Sequence, residues 1–175
     1  LRLATSADAG AIDAMMKVSI RDLFPAFYDV RQTASSMVHI GHVDPMLIDD
    51  GTYFVIEEDG ELVACDGWSR RYKLYTGSGS GATDARLLDP RTEAARVRAM
   101  FVRPDRARRG LGTLILEACE AAARLEGFGT LALMATLPGL QLYERYGFTT
   151  TRPTTIPLPD GVTIGGAEMH KSIEA

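Results

Sequence analysis

With 175 residues, 46% hydrophobic and 24% charged, the chain has the make-up of a globular domain, large enough for one sizeable core and too short to need two, so a single domain over residues 1–175 is expected. No apolar run approaches the roughly 20 residues of a membrane span and the N-terminal stretch lacks a signal-peptide core, which predicts a soluble, cytoplasmic protein with no membrane partner. A net charge of −4 argues against a general nucleic-acid binder, and two cysteines, Cys65 and Cys119, give neither a disulfide framework nor a metal cluster.

Leu1 to Ala4 predicts a short strand, after which Thr5 or Ser6 offers an N-cap with Asp8 in the first turn. Ile12, Met15, Met16, Ser19, Ile20 and Leu23 recur at helical spacing, so an amphipathic helix should run until Pro25. The segment from Phe24 to Asp50 begins with Phe24, Phe27 and Tyr28, reads as helical from Val30 to Ile40 and as irregular beyond Gly41. Its acids (Asp29, Asp44, Asp49 and Asp50, with Asp22 just before) outnumber Arg21 and Arg31, which suits an amine ligand and equally a solvated acidic surface.

Thr52 to Glu57 and Glu61 to Arg70, around Glu58-Asp59-Gly60, predict a β-hairpin. From Tyr72 through the glycine run at 77–81 to Glu93 the chain has no period, which predicts a flexible insertion between strands. No Lys-Ser/Thr follows Gly81, so these glycines are not a Walker loop. Arg96 to Val102 reads as a strand. A helix then follows with Leu111, Leu114, Ile115, Ala118, Ala122 and Leu125 on its apolar face and Gly127 as C-cap. Gly129 to Ala135 predicts a buried strand, Thr136 to Arg145 a short helix ending at Gly147, and Thr149 to Ile156 with Val162 to Lys171 an antiparallel pair. The order β, α, α, β, β, β, α, β, α, β, β places the fold in the α/β class, as a mixed sheet with helices on both faces.

The junction Arg103 to Thr113 (RPDRARRGLGT) carries the strongest chemical signal. Six arginines and one acid lie between Arg96 and Arg109, and the first N–H groups of the following helix have no intrahelical partner. Gly110 and Gly112 would let a phosphate approach the backbone, and Arg108 and Arg109 could add charge-assisted bonds. Positive charge concentrated on one turn fits a small polyanion better than a nucleic-acid track. Ile115 occupies the place of the third glycine of a dinucleotide fingerprint, which excludes that motif. The plainer alternative is an ordinary helix start beside a solvated basic patch.

Arg106-Ala-Arg-Arg-Gly-Leu-Gly-Thr113 with its Ala- and Leu-rich helix resembles the acetyl-CoA signature of the GNAT superfamily of N-acetyltransferases, and Leu142-Tyr-Glu-Arg-Tyr-Gly-Phe148 resembles its second signature. The element order is similar from Leu1 to about Lys171. The resemblance implies a GNAT-like fold with a mostly antiparallel central sheet and acetyl-CoA as cosubstrate, its pyrophosphate held by Arg108, Arg109, Gly110, Leu111, Gly112 and Thr113. It implies further that Met100, Phe101 and Val102 line the pantetheine arm, one backbone N–H polarising the acetyl carbonyl, and that Tyr143 protonates the departing sulfur. Two departures stand out. Ala107 replaces the family's usual Gln or Arg, and Thr136 stands where Asn is frequent, keeping a cap while changing one pantetheine contact. A homodimer is common in the family, and no metal is expected.

The amine acceptor, a small molecule or a peptide, is not readable, and neither is the general base: many relatives place a Glu on the strand that here carries Arg96 and Arg98. Glu93, Asp66, Glu57, His39 and His42 are the candidates. Two rival functions remain at this stage: a CoA-binding sensor or interaction module without turnover, and a nucleic-acid-binding domain using the arginine patch.

Overall fold

The structure, a computed structural model, describes residues 1–74 and 85–174. Asp59 and Gly60 both take positive φ (53° and 78°), the geometry that lets a two-residue turn follow strand twist, and they close the hairpin of β2 (Tyr53–Glu58) and β3 (Glu61–Ser69). Before it come β1 (Arg2–Leu3), α1 (Ala9–Leu23), α2 (Val30–His39) and α3 (Pro45–Asp49). After it come β4 (Ala95–Val102), α4 (Leu111–Leu125), β5 (Thr130–Thr136), α5 (Leu140–Tyr146), β6 (Thr149–Pro157) and β7 (Thr163–Ser172).

The strands form one seven-stranded sheet in the order β1-β2-β3-β4-β5-β7-β6. All neighbours are antiparallel except β4 and β5. That parallel pair is joined only at Ala95↔Leu131 and Arg96↔Ala132, after which the strands part and leave a cleft in the middle of the sheet. Each face has its own core. Ile115, Leu116, Cys119 and Ala123 of α4 pack with Trp68, Leu131 and Tyr143 on one face, and Ile12, Met16 and Ile20 of α1 pack with Tyr53, Val55 and Ile164 on the other. The predicted mixed sheet with helices on both faces is therefore the fold, and both cysteines are free and buried.

Two expectations change. The buried stripe of α4 is Gly112, Ile115, Leu116, Cys119 and Ala123, rotated from the predicted face, while Leu114 and Leu125 are exposed. A helix apolar on most sides offers two phases at the same spacing, and packing against β3 selects one. The stretch read as irregular after Gly41 contains α3, with Pro45 at its start and the Asp44 side chain accepting from Met46 N–H. The described ends of the 72–93 insertion are paired: Arg71 bridges Leu87, Tyr72 N–H donates to Arg86 O and Leu88 N–H to Arg70 O, with Leu88 buried in the core. The glycine run at 77–81, which prompted the expectation of flexibility, lies outside the described residues.

Candidate active site

The cleft where β4 and β5 part is walled by Val97 to Phe101, Met134 and Thr136, and closed by Tyr143, Ile40, Leu74 and Ile156. Its shape depends on a defect in β4. Asp66 of β3 faces two residues of β4, Ala99 and Met100, because the register breaks between Cys65 and Gly67, and Ala99 sits at φ 65°. Such a bulge bends the strand and turns its backbone groups out of the ladder. Met100, Phe101 and Thr136, the predicted pantetheine contacts, all line this cleft. Val102 lies one step on, in the wall of a second pocket.

Tyr143 reaches the cleft from α5. Its ring stands edge-on to Phe148 at 5.8 Å, and Gly139 makes room for it, since a Cβ there would lie 2.8 Å from the ring. Burial raises its pKa well above the ordinary tyrosine value, so the phenol is a proton donor throughout the neutral range. The turn before α5 is held from the far side of the sheet: the Tyr28 hydroxyl accepts from Leu137 N–H at 2.8 Å and donates to Gly165 O at 2.6 Å. Tyr28, read from sequence only as part of an aromatic cluster, thus fixes the segment between Thr136 and Tyr143.

The second pocket, about 360 Å³, opens at the start of α4. Gly110, at φ 81°, precedes the helix in a conformation suited to glycine, and Leu114 N–H makes the first bond back to Gly110 O, so the N–H groups of Leu111, Gly112 and Thr113 precede the helical ladder. These residues and Arg108, itself at φ 66°, line the pocket opposite Pro138, Gln141, Leu142 and Arg145 of the α5 segment. Arg108 donates to the Gln141 side chain at 3.0 Å. Arg109 is exposed and lies outside the lining. Arg145 was missed in the sequence, though 138, 141, 142 and 145 share one helical face.

Two details revise the reading of the arginine turn. Gly112 is buried, and a Cβ there would stand 2.7 Å from Leu142 Cδ2, so its missing side chain makes room for α5 rather than for a ligand; it is Gly110 that has open space around it. The arginines are also largely committed elsewhere. Arg103 pairs with Glu61 and Asp105, Arg106 faces Glu58, Arg96 lies over the Tyr72 ring and Arg98 pairs with Asp44. Positive charge facing the pocket comes from Arg108, Arg145 and the start of α4.

None of the sequence candidates for a base lines the central cleft. Asp66 is wholly buried, away from the cleft; burial pushes its pKa well above the ordinary carboxylate value, only partly offset by bonds from Gly67 N–H and the Cys119 thiol. Glu57 pairs with Arg2, Glu93 with Arg86, and His39 lies 3.6 Å from Asp160. At the edge of the cleft the Arg98 guanidinium, 2% exposed, and Lys73 both meet Asp44, at 3.0 and 3.1 Å. Burial raises the Asp44 pKa and the two cations outweigh that, leaving it below the usual value. The residues lie too far apart in the chain for local spacing to reveal the cluster.

The chain is similar over 98% of its length to a GCN5-related N-acetyltransferase of Rhodopseudomonas palustris, with 18% identity, a TM-score of 0.72 and 94% of that chain covered. It is similar to the PaiA N-acetyltransferase of Thermoplasma acidophilum, solved with coenzyme A, at 11% identity and TM-score 0.66, covering 98% of this chain and 96% of that one. The YncA protein of Salmonella typhimurium, solved with acetyl-CoA, gives 17% identity and 0.62, covering 99% and 93%. At these identities the likeness shows the fold. No curated protein sequence matches. The sequence family described as acetyltransferase (GNAT) domain matches residues 49–150, which span the bulged strand, the α4 turn and α5, and the chain belongs to that family.

Proposed function

We propose that the protein transfers an acetyl group from acetyl-CoA to a primary amine by direct attack. The observation that carries this reading is the meeting, in one cleft, of a bulged β4 backbone and the buried, protonated Tyr143, with a helix-start pocket one step further along the same strand. The two pockets suit the two ends of the donor. Arg108, Gly110 to Thr113 and Arg145 offer N–H groups and positive charge for a pyrophosphate, and Met100, Phe101, Val102 and Thr136 line the way to the cleft. Acetyl-CoA supplies an activated acyl group. The β4 backbone orients it and donates to its carbonyl oxygen, and the Tyr143 hydroxyl gives its proton to the departing sulfur. The amine enters past Ile40, Leu74 and Arg98 at the rim of the cleft.

Among the described residues lining the cleft, Arg98 and Tyr143 are the ionisable ones, and neither is a carboxylate or imidazole that could take the proton of the incoming ammonium. The same observation favours the alternative of a CoA-binding module without turnover. Free-thiol release from acetyl-CoA with a panel of amines separates the two: transfer to at least one amine is expected, and tight acetyl-CoA binding with no release for any amine overturns the proposal.

A further inference from the structure

We infer that Tyr53 is a positioning residue for acyl transfer, its hydroxyl locking the peptide between Ala99 and Met100 so that the Met100 N–H is aimed into the cleft. The inference rests on the acetyl-transfer reading above and adds a residue that does not line the cleft. Tyr53 opens β2, is wholly buried, and donates from its hydroxyl to the Ala99 carbonyl at 2.8 Å. Ala99 needs such a partner. At φ 65° a residue with a Cβ carries a cost of roughly 1 kcal/mol, which persists only where the surroundings impose the conformation.

The peptide bonds of the described residues are trans, and in a planar trans peptide the carbonyl and the following N–H point in opposite directions. Turning the Ala99 carbonyl toward Tyr53 therefore turns the Met100 N–H away from it. Tyr53 and Ala99 belong to the core on the α1 face, whereas Met100 packs against the core that contains Tyr143. The N–H is thus directed to the side where the proton donor stands. A donor held in place before reaction needs no reorganisation when charge develops on the carbonyl oxygen.

Gly67 belongs to the same device. It pairs with Tyr53 on one side and Arg98 on the other, and its φ is not in the left-handed region, so its backbone does not require glycine. A Cβ at Gly67 would lie 2.4 Å from Tyr53 Cδ2: the bare backbone is the slot through which the ring crosses β3 to reach the bulge. Burial raises the Tyr53 pKa well above its ordinary value, keeping the hydroxyl a donor.

The test reads the bond that the N–H would polarise. Acetyl-CoA labelled with carbon-13 at the acetyl carbonyl is bound to the full chain, and its carbonyl stretch is measured by difference infrared spectroscopy. Wild type should shift the stretch below that of free acetyl-CoA. Tyr53→Phe keeps the ring and should keep the affinity, while the stretch returns toward the free value and transfer slows about tenfold at unchanged KM for acetyl-CoA. Gly67→Ala, which displaces the ring, should do the same. A folded Tyr53→Phe or Gly67→Ala protein that binds acetyl-CoA with the wild-type shift overturns the inference, as does a wild type that binds without any shift. Failure of the wild type to bind acetyl-CoA instead defeats the acetyl-transfer reading itself.

Discussion

The pocket at the start of α4 and the cleft in the middle of the sheet lie along the same strand and are built in opposite ways. The pocket draws its wall from two short runs, 102–113 and 138–145, and presents the start of α4 together with Arg108 and Arg145. The cleft collects residues from α2's end, β4, β5, α5 and β6, and burial sets the protonation of the groups in and beneath it. The first arrangement is suited to affinity and tolerates the loss of a single side chain. The second is suited to rate, because one misplaced group there changes the geometry of the reaction.

The largest effect should fall on the cleft. Tyr143→Phe keeps the edge-on packing with Phe148 and removes the proton donor, so turnover should fall by about 100-fold with acetyl-CoA affinity unchanged. Steady-state rates combined with a binding titration check this, and an unaltered rate would remove Tyr143 from the mechanism. The pH profile gives a second reading. Because burial holds the Tyr143 pKa well above its ordinary value of about 10, the protonated donor persists as pH rises, and wild-type activity should show no loss of a tyrosine proton between roughly pH 8 and 10.

At the boundary of the two regions, Gly112→Val should act first on folding. Its added side chain meets Leu142, and overpacking of this kind costs about 2 kcal/mol, visible as a lowered melting temperature; CoA affinity should fall because α5 shifts. Gly110→Ala has open space but positive φ, so its cost should be nearer 1 kcal/mol. Equal losses in the two variants would contradict the packing role given to Gly112.

On the acceptor side, Asp44→Asn removes the acid from between Arg98 and Lys73, and a loss of about 2 kcal/mol is expected from denaturant titration. The sign with pH follows from the lowered Asp44 pKa. Its contribution is present above the unfolded carboxylate value of about 3.9 and lost as pH falls through the lower folded value, so the variant should show a flatter acid limb than wild type.

The same contrast explains what could be read from residue order. Elements with a single strong period, such as α1 with Ile12, Met15, Met16 and Ile20, stand where the pattern places them, and so does the hairpin around Asp59-Gly60. The α4 turn was legible because its glycines, arginines and helix start are consecutive. The α4 face was not, since Leu and Ala surround most of that helix and only contact with β3 fixes its rotation. Nor was the bulge: Ala99 is an unremarkable residue in a strand, and the groups that hold it, Tyr53 and Gly67, are on other strands. Asp44 meets Arg98 across 54 residues of chain. Long-range side-chain bonds leave no local period.

The smallest effect tests whether the arginine turn is as specific as its composition suggests. Sequence gives the phosphate contacts to Arg108 and Arg109 and counts Arg103 only as part of the same basic turn, but Arg103 is turned to Glu61 and Asp105 and Arg109 stands outside the pocket, whereas Arg108 lies in its wall beside Gln141. Arg108→Ala should weaken CoA binding about fivefold, as for loss of one charge-assisted contact at a partly exposed site. Arg103→Ala should leave CoA affinity at its wild-type value, because its charge is already engaged with the β2–β3 turn and with Asp105. Raising the salt concentration separates the two explanations further. If the turn acts as a diffuse basic patch, both alanine variants weaken binding alike and the effect vanishes in high salt; if the pocket wall is what binds, the deficit of Arg108→Ala relative to Arg103→Ala persists.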